Sequence, residues 1–370
     1  MGSKDRALTL LLTLLLLLAV TPSIISCPPS DRAALLSFKS ALSETFHGIF
    51  NSWSGPNCCS NWRGVSCDPT NFRVADITLR GESEDPIYER THRSGHMSGQ
   101  ISPSICSLDR LTTFILADWK NITGPIPPCI TSLPFLRILD LVGNRLSGPL
   151  PSSIGNLKHL TVLNVADNQL SGVIPASIVY LPELKHLDLT NNRISGRIPS
   201  SFGRLQMLSR ALLARNLISG SIPPSIATIY RLSDLDLSMN RISGTIPVEI
   251  GKMAVLASLY LDGNLISGEI PPSLLTCRGL SILNLSRNAI EGRIPDVFGV
   301  GSYFMELDLA YNKLRGPIPK SLTSAAYIGH LDLSHNHLCG RIPVGSPFDH
   351  LEASSFINND CLCGAPLPKC

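Results

Sequence analysis

Apolar residues recur along the chain in one fixed order every 24 positions, as in Leu184, Leu187 and Leu189 and again, four units later, in Leu280, Leu283 and Leu285. The Leu-x-Leu alternation has a period of two, which predicts a short strand with one buried face. Units of one length that pack on their neighbours set these strands side by side, about 4.8 Å apart, as a parallel sheet along one side of a solenoid. An asparagine closes each unit: Asn144, Asn168, Asn192, Asn216, Asn240, Asn264, Asn288, Asn312 and Asn336 keep an unbroken spacing of 24. An amide among leucines has a physical reason. It donates and accepts, so it can pair backbone groups of its own unit and of the adjacent one where the chain turns inward. Leucine there would orphan those groups at about 1–3 kcal/mol each. Next comes x-Leu/Ile-Ser-Gly-x-Ile-Pro, as in Arg193-Ile194-Ser195-Gly196-Arg197-Ile198-Pro199. Gly and Pro turn the chain to the far side, where a short helical or irregular segment carries an apolar plug such as Leu157, Leu181, Leu205 or Met253.

This periodicity overrides the usual reading of 370 residues as two or three domains; one elongated domain is expected. Lys4, Asp5 and Arg6, the apolar run from Ala7 to Val20 and small residues near Ser26 fit a secretory leader ending at Ser26. No other stretch approaches membrane-spanning length, so no anchor is expected in a mature, monomeric chain. Without the leader, 29 basic residues face 27 acidic ones, a net charge of +2 that offers no footprint for nucleic acid. Eleven cysteines are ordinary for an exported protein and many for a cytosolic one.

The whole unit, L-x-x-L-x-L-x-x-N-x-L-S-G-x-I-P, resembles that of plant-type leucine-rich repeat proteins. Residues 27–370 are similar to the secreted family that holds the polygalacturonase-inhibiting proteins. The stretches "LRGESED" (79–85), "LADWKNITGPIPPCITSL" (116–133) and "PFDHLEASSF" (347–356) resemble the plant leucine-rich repeat proteins named for DNA-damage repair and toleration. The resemblance implies an α/β solenoid: a right-handed curved superhelix with a parallel concave β-sheet and disulfide-bonded terminal caps. It divides the chain into a leader (1–26), an N-terminal cap (27–70), repeats (71–344) and a C-terminal cysteine cap (345–370). "SDRAALLSFKSAL" (30–42), with Asp31 near a helix start, and "SWSGPNCCSNWRGVSC" (52–67) resemble that N-terminal cap. Family pattern implies the pairs Cys27–Cys58, Cys59–Cys67, Cys339–Cys361 and Cys363–Cys370. Cys106 and Cys129 stand at nearly equivalent places on successive repeats and make a fifth pair plausible, while Cys277 occupies a plug position as a buried, inert thiol.

No nucleophile, base or metal set converges in the sequence, so no catalysis, metal or cofactor is expected. His330, His335, His337 and His350 lack cysteine partners at zinc spacing and read as a solvated rim. Asp140, Asp188, Asp236, Asp308 and Asp332 should align on the concave face, either as paired carboxylates or as a strand-to-strand hydrogen-bonding device. With Lys185, His186, Arg210, Leu212, Arg215, Met239, Tyr260, Arg287 and Tyr311 they form the candidate partner-binding surface, because outward strand residues on a rigid sheet are released from folding constraint. Two departures break the regularity. An insertion at about 80–97 carries Glu82, Glu84, Asp85 and Glu89 before Arg90 and Arg93, and "LADWKNITG" is one residue too long. Asn121 and Asn284 head glycosylation sequons. The expectation is a secreted, cell-wall protein that binds another protein through its concave face and inhibits a pathogen wall-degrading enzyme. The alternatives are a soluble peptide or receptor-ectodomain partner in signalling, and a DNA-damage toleration factor. A leucine-rich leader, paired cysteines and an acidic column oppose the last.

Overall fold

The computed structural model describes residues 27–81 and 95–370; the expected leader and residues 82–94 of the insertion lie outside them. Twelve strands form the concave sheet, from Val65–Cys67 through Val74–Arg80 to Tyr327–Asp332. All pair in parallel except the first, which runs antiparallel to its neighbour. Their inward residues fill one continuous core in which Leu139, Leu163, Leu187, Leu235, Leu259 and Leu283 are at most 1% exposed. The plugs Leu157, Leu181, Leu205 and Met253 close that core from the far side.

The Leu/Ile-Ser-Gly segments, expected only to turn, build a second layer of parallel strands. One sheet of five strands runs from Leu42–Glu44, which alone pairs antiparallel with its neighbour Met97–Gln100, to Gln169–Ser171, and one of eight runs from Ser195–Gly196 to Cys361–Cys363. A single bridge between Val173 and Ser195 joins them. Each strand spends its backbone groups on the next repeat before the glycine, at φ +76° to +82° in Gly196, Gly220, Gly244, Gly268, Gly292 and Gly316, turns it away.

The ladder is the physical centre of the fold. Asn216 donates through Nδ2 to the carbonyls of Leu189, Leu213 and Ala214 at 2.9, 3.2 and 3.1 Å, and accepts the Ile194 amide through Oδ1 at 2.9 Å. The same four bonds recur at Asn168, Asn192, Asn240, Asn264, Asn288, Asn312 and Asn336. A tenth rung, Asn359, stands 23 rather than 24 residues after Asn336; it donates to Leu333 and Phe356 and accepts from Leu338. At the other end the extra residue in "LADWKNITG" changes the chemistry. The buried Trp119 donates its indole N–H to Leu79 at 3.0 Å, the carbonyl a ladder amide would otherwise serve. Asn144 keeps its three donated bonds, but its buried Oδ1 finds no acceptable donor.

Helix α1 (Pro29–Ser40) packs Leu35 and Phe38 over the first repeat. Asp31 lies in its first turn, near the helix start as the sequence suggested, but its side chain does not cap the helix. Its buried carboxylate receives Arg73 Nε and Nη2, each at 2.9 Å, and the Val74 amide at 3.0 Å, tying the helix to the first long strand. Trp53 and Trp62 stack 5.4 Å apart beneath it. Disulfides join Cys27–Cys58, Cys59–Cys67, Cys106–Cys129, Cys339–Cys361 and Cys363–Cys370, and Cys277 is a buried free thiol.

Candidate recognition surface

Parallel register brings the candidate acids into one column: Asp140, Asn164, Asp188, Leu212, Asp236, Tyr260, Asn284, Asp308 and Asp332 occupy successive rungs. Each acid or amide in it accepts the amide two residues ahead, for example Thr190 to Asp188 at 3.0 Å, Ser238 to Asp236 at 2.9 Å and Ser334 to Asp332 at 2.9 Å. These are Asx turns that bend the chain out of the strand. The column is therefore a turning device first. Asp140 departs from its expected role on the open face. It is 6% exposed, and Arg80 Nη2 binds its Oδ2 at 2.6 Å, so the first repeats consume this carboxylate internally.

Beside the column, the residue preceding each ladder asparagine sits in the left-handed region. At the N-terminal end these residues are Gly143, Asp167 and Asn191, types that tolerate positive φ. Further on they are Arg215, Met239, Arg287, Tyr311 and His335, at φ 53° to 55°, interrupted by Gly263 at φ 64° before Asn264. Arg287 covers the Tyr311 ring at 4.3 Å, and Tyr311 stacks on His335 at 3.9 Å between centroids. Across the sheet, the strands Tyr303–Asp308 and Tyr327–Asp332 are six residues long where those from Ile138–Asp140 to Ile282–Asn284 have three, and their first residues, Tyr303 and Tyr327, stack at 5.0 Å. Tyr303, Met305 and Tyr327 stand about half exposed at 50%, 56% and 48%. They were not singled out from the sequence, although two tyrosines 24 residues apart at strand starts were a readable signal.

The same region crowds acids. Burial, with Asp236 and Asp308 nearby, pushes the Asp262 carboxyl up to about 6. Asp308 is raised by burial and by Asp332, and the Tyr260 hydroxyl by burial and by Glu306. Towards the N-terminal side, burial and the charge of Arg210 lower the His186 pKa, while Arg210 itself leans on Asp234 at 3.4 Å. Lys185 is exposed at the strand entry and Leu212 is half-buried. Asn284 donates to Glu306 at 3.2 Å and accepts from Ser286; Asn121 lies in the second layer.

Family models match this chain at residues 28–68 (leucine rich repeat N-terminal domain), at 134–194, and at 231–253, 256–277 and 279–300 (leucine rich repeat). The chain is a leucine-rich repeat protein. Among curated relatives of this leucine-rich repeat chain, the Arabidopsis thaliana DNA damage-repair/toleration protein DRT100 is 59% identical over 136 residues, 35% of this chain and 37% of the relative. A polygalacturonase inhibitor of Vitis vinifera is 34% identical over 115 residues, 31% of this chain and 30% of the relative. The chain thus spans 30–37% of the length of these curated relatives. Among solved structures, the ectodomain of the Arabidopsis thaliana receptor kinase GASSHO1/SCHENGEN3, in complex with Casparian strip integrity factor 2, superposes with a TM-score of 0.75 at 30% identity, covering 90% of this chain and 42% of that one. A plant ice-binding protein gives 0.70 at 29% identity, covering 93% and 98%.

Proposed function

We propose that this leucine-rich repeat protein is secreted and grips a protein partner with the C-terminal half of its concave sheet. The left-handed rim carries the reading. Holding Arg, Met, Tyr and His at positive φ costs on the order of 1 kcal/mol each. Glycine or asparagine would serve the turn, as the same chain demonstrates at Gly143 and Asn191. Selection for the longer side chains therefore has a purpose outside folding. Arg215, Met239, Tyr311 and the tyrosine pair present arginine, methionine and aromatic groups, the types concentrated in binding hot spots, on a backbone already ordered by the sheet. Asp188, Asp236, Asp308 and Asp332 supply a negative field between them, and Lys185, Arg210, Leu212 and Tyr260 complete the contact surface; Asp140 is withdrawn from it.

The likeness to polygalacturonase inhibitors supports an extracellular wall-degrading enzyme of pathogen origin as the partner. A peptide is the second reading, favoured by the six-residue strands at Tyr303–Asp308 and Tyr327–Asp332, which lay out a longer track than their neighbours. Five disulfides support an oxidising compartment and weigh against a DNA-damage toleration role for this chain. The test is an inhibition assay with purified fungal polygalacturonase and the recombinant chain. Slowed hydrolysis, relieved by Arg287→Glu with Tyr311→Ala and unaffected by Asp167→Ala, is the expected result. Full hydrolysis together with a reduced, intracellular pool of the protein would overturn the reading.

A further inference from the structure

Near its C-terminal end the outer side of the solenoid loses part of its regularity. Elsewhere a helical turn follows the Ile-Pro step, as in Val248–Lys252, Pro272–Leu275 and Lys320–Ser324. Among the described residues no helical turn stands between the strands Ala289–Gly292 and Tyr303–Asp308, and none follows Pro343 before Phe348–His350. The two omissions flank one place. A groove of 760 Å³ opens there across the Ile-Pro steps of three successive repeats, floored by Ile294, Ile318 and Ile342 with Pro317, Pro319 and Pro343. Val344 lines it too and stands 80% exposed, an apolar side chain left in water at the edge of an apolar floor.

The rim is charged mainly in one sense. Arg293, Lys320 and Arg341 line it, all three are exposed, and none enters an ion pair among the described residues. The one acid on the rim, Asp296, is already engaged, since it accepts the Ser321 amide at 3.0 Å. Both arginines are seated by the repeat that follows them. A Cβ built at Gly316 would lie 3.3 Å from Arg293 Cγ, and one at Gly364 would lie 3.3 Å from Arg341 Cγ, so each stem crosses a bare glycine of the next rung.

The geometry points to a binding site for a medium-chain fatty acid, an unbranched aliphatic monocarboxylate, with its tail on the isoleucine and proline floor and its carboxylate at the cationic rim. Sites for small molecules are clefts of about 300–1,000 Å³, mostly apolar, with a few polar groups that fix orientation, and this groove has that composition. Three steps on rungs about 4.8 Å apart give a floor about 10 Å long, the reach of a medium-chain tail and too short for a polymer to gain by repetition. None of the lining residues is aromatic, so a flat ring finds no face to stack on, whereas methylenes pack on isoleucine and proline. A single carboxylate satisfies a guanidinium in the paired geometry that orients the ligand. The groove lies apart from the concave surface, so either site can fail without the other.

The experiment titrates the full chain by calorimetry with decanoate below its micelle concentration, and with hexanoate and decanol as comparators. Three variants, each checked for an unchanged melting curve, separate the contributions: Arg293→Gln/Arg341→Gln at the rim, Val344→Asn at the exposed apolar edge, and Lys185→Gln/Arg210→Gln on the concave face. The expected result is one decanoate per chain, with hexanoate weaker by roughly tenfold or more. The rim variant should weaken decanoate by roughly tenfold and leave decanol unchanged, Val344→Asn should weaken both, and the concave variant neither. The proposal is overturned if several decanoates bind per chain, if decanol binds the unmodified chain as tightly as decanoate, or if the concave variant loses as much affinity as the rim variant.

Discussion

The first repeats and the later ones make the same turn with different chemistry. From Asn168 onward every ladder amide is fully paired, whereas at the start Trp119 substitutes an indole for the amide and Asn144 is left with an unserved oxygen. The rim changes in the opposite sense: Gly143, Asp167 and Asn191 are conformationally cheap, whereas five of the next six, Arg215, Met239, Arg287, Tyr311 and His335, are not, Gly263 being the exception. The early repeats tolerate an imperfect interior and a relaxed rim. The later repeats combine a perfect interior with a strained rim, as expected if a well-tied scaffold is what makes strained recognition residues affordable.

The sharpest way to break the comparison is at the ladder itself. Asn216→Leu removes four bonds from a buried site and should lower stability by about 3–5 kcal/mol, read from denaturant unfolding. Asn144→Leu should cost less, because one of its four partners is already missing; equal losses would deny that the two ends differ. Trp119→Phe keeps the packing and orphans the Leu79 carbonyl, for an expected loss of about 1–3 kcal/mol. Asp262 tests the crowding of the later repeats. Its folded pKa, about 6, lies above the ordinary 3.8, so the native state holds the proton more tightly and ionisation between those values subtracts stability as pH rises. Asp262→Asn should therefore raise the melting temperature at pH 7, by the equivalent of about 1 kcal/mol after allowing for its partial exposure, and should lose that advantage below pH 4. The smallest effect is expected at the rim: Arg215→Asn should gain about 0.5 kcal/mol while weakening the partner complex, a split that a purely structural arginine would not produce.

What was legible in the sequence was whatever repeats. Leucines, plugs and nine amides in a fixed frame specify strands, stacking and the concave wall, because each unit solves the same local problem. The single-residue slips were not legible. Asn359 breaks the interval by one, and Trp119 replaces an amide by a different donor, so neither belongs to the pattern that exposes the others. The second sheet escaped because Ser-Gly and Ile-Pro read locally as breakers, while its strands exist only through pairing with the next repeat. Asp140 was placed on the open face because Arg80, 60 residues away, carries no mark that it will reach across two rungs.

A solenoid of identical coils has an inherent hazard, since its last coil is a template for another molecule's first. Here Val65–Cys67 and Leu42–Glu44 close the N-terminal sheet edges by running antiparallel to their neighbours. At the far end the backbone of residues 355–358 takes up the donors of Leu333, His335 and Asn336. These devices restrict nose-to-tail stacking along the concave sheet, while Cys361–Cys363 stays the outer parallel strand of the second layer.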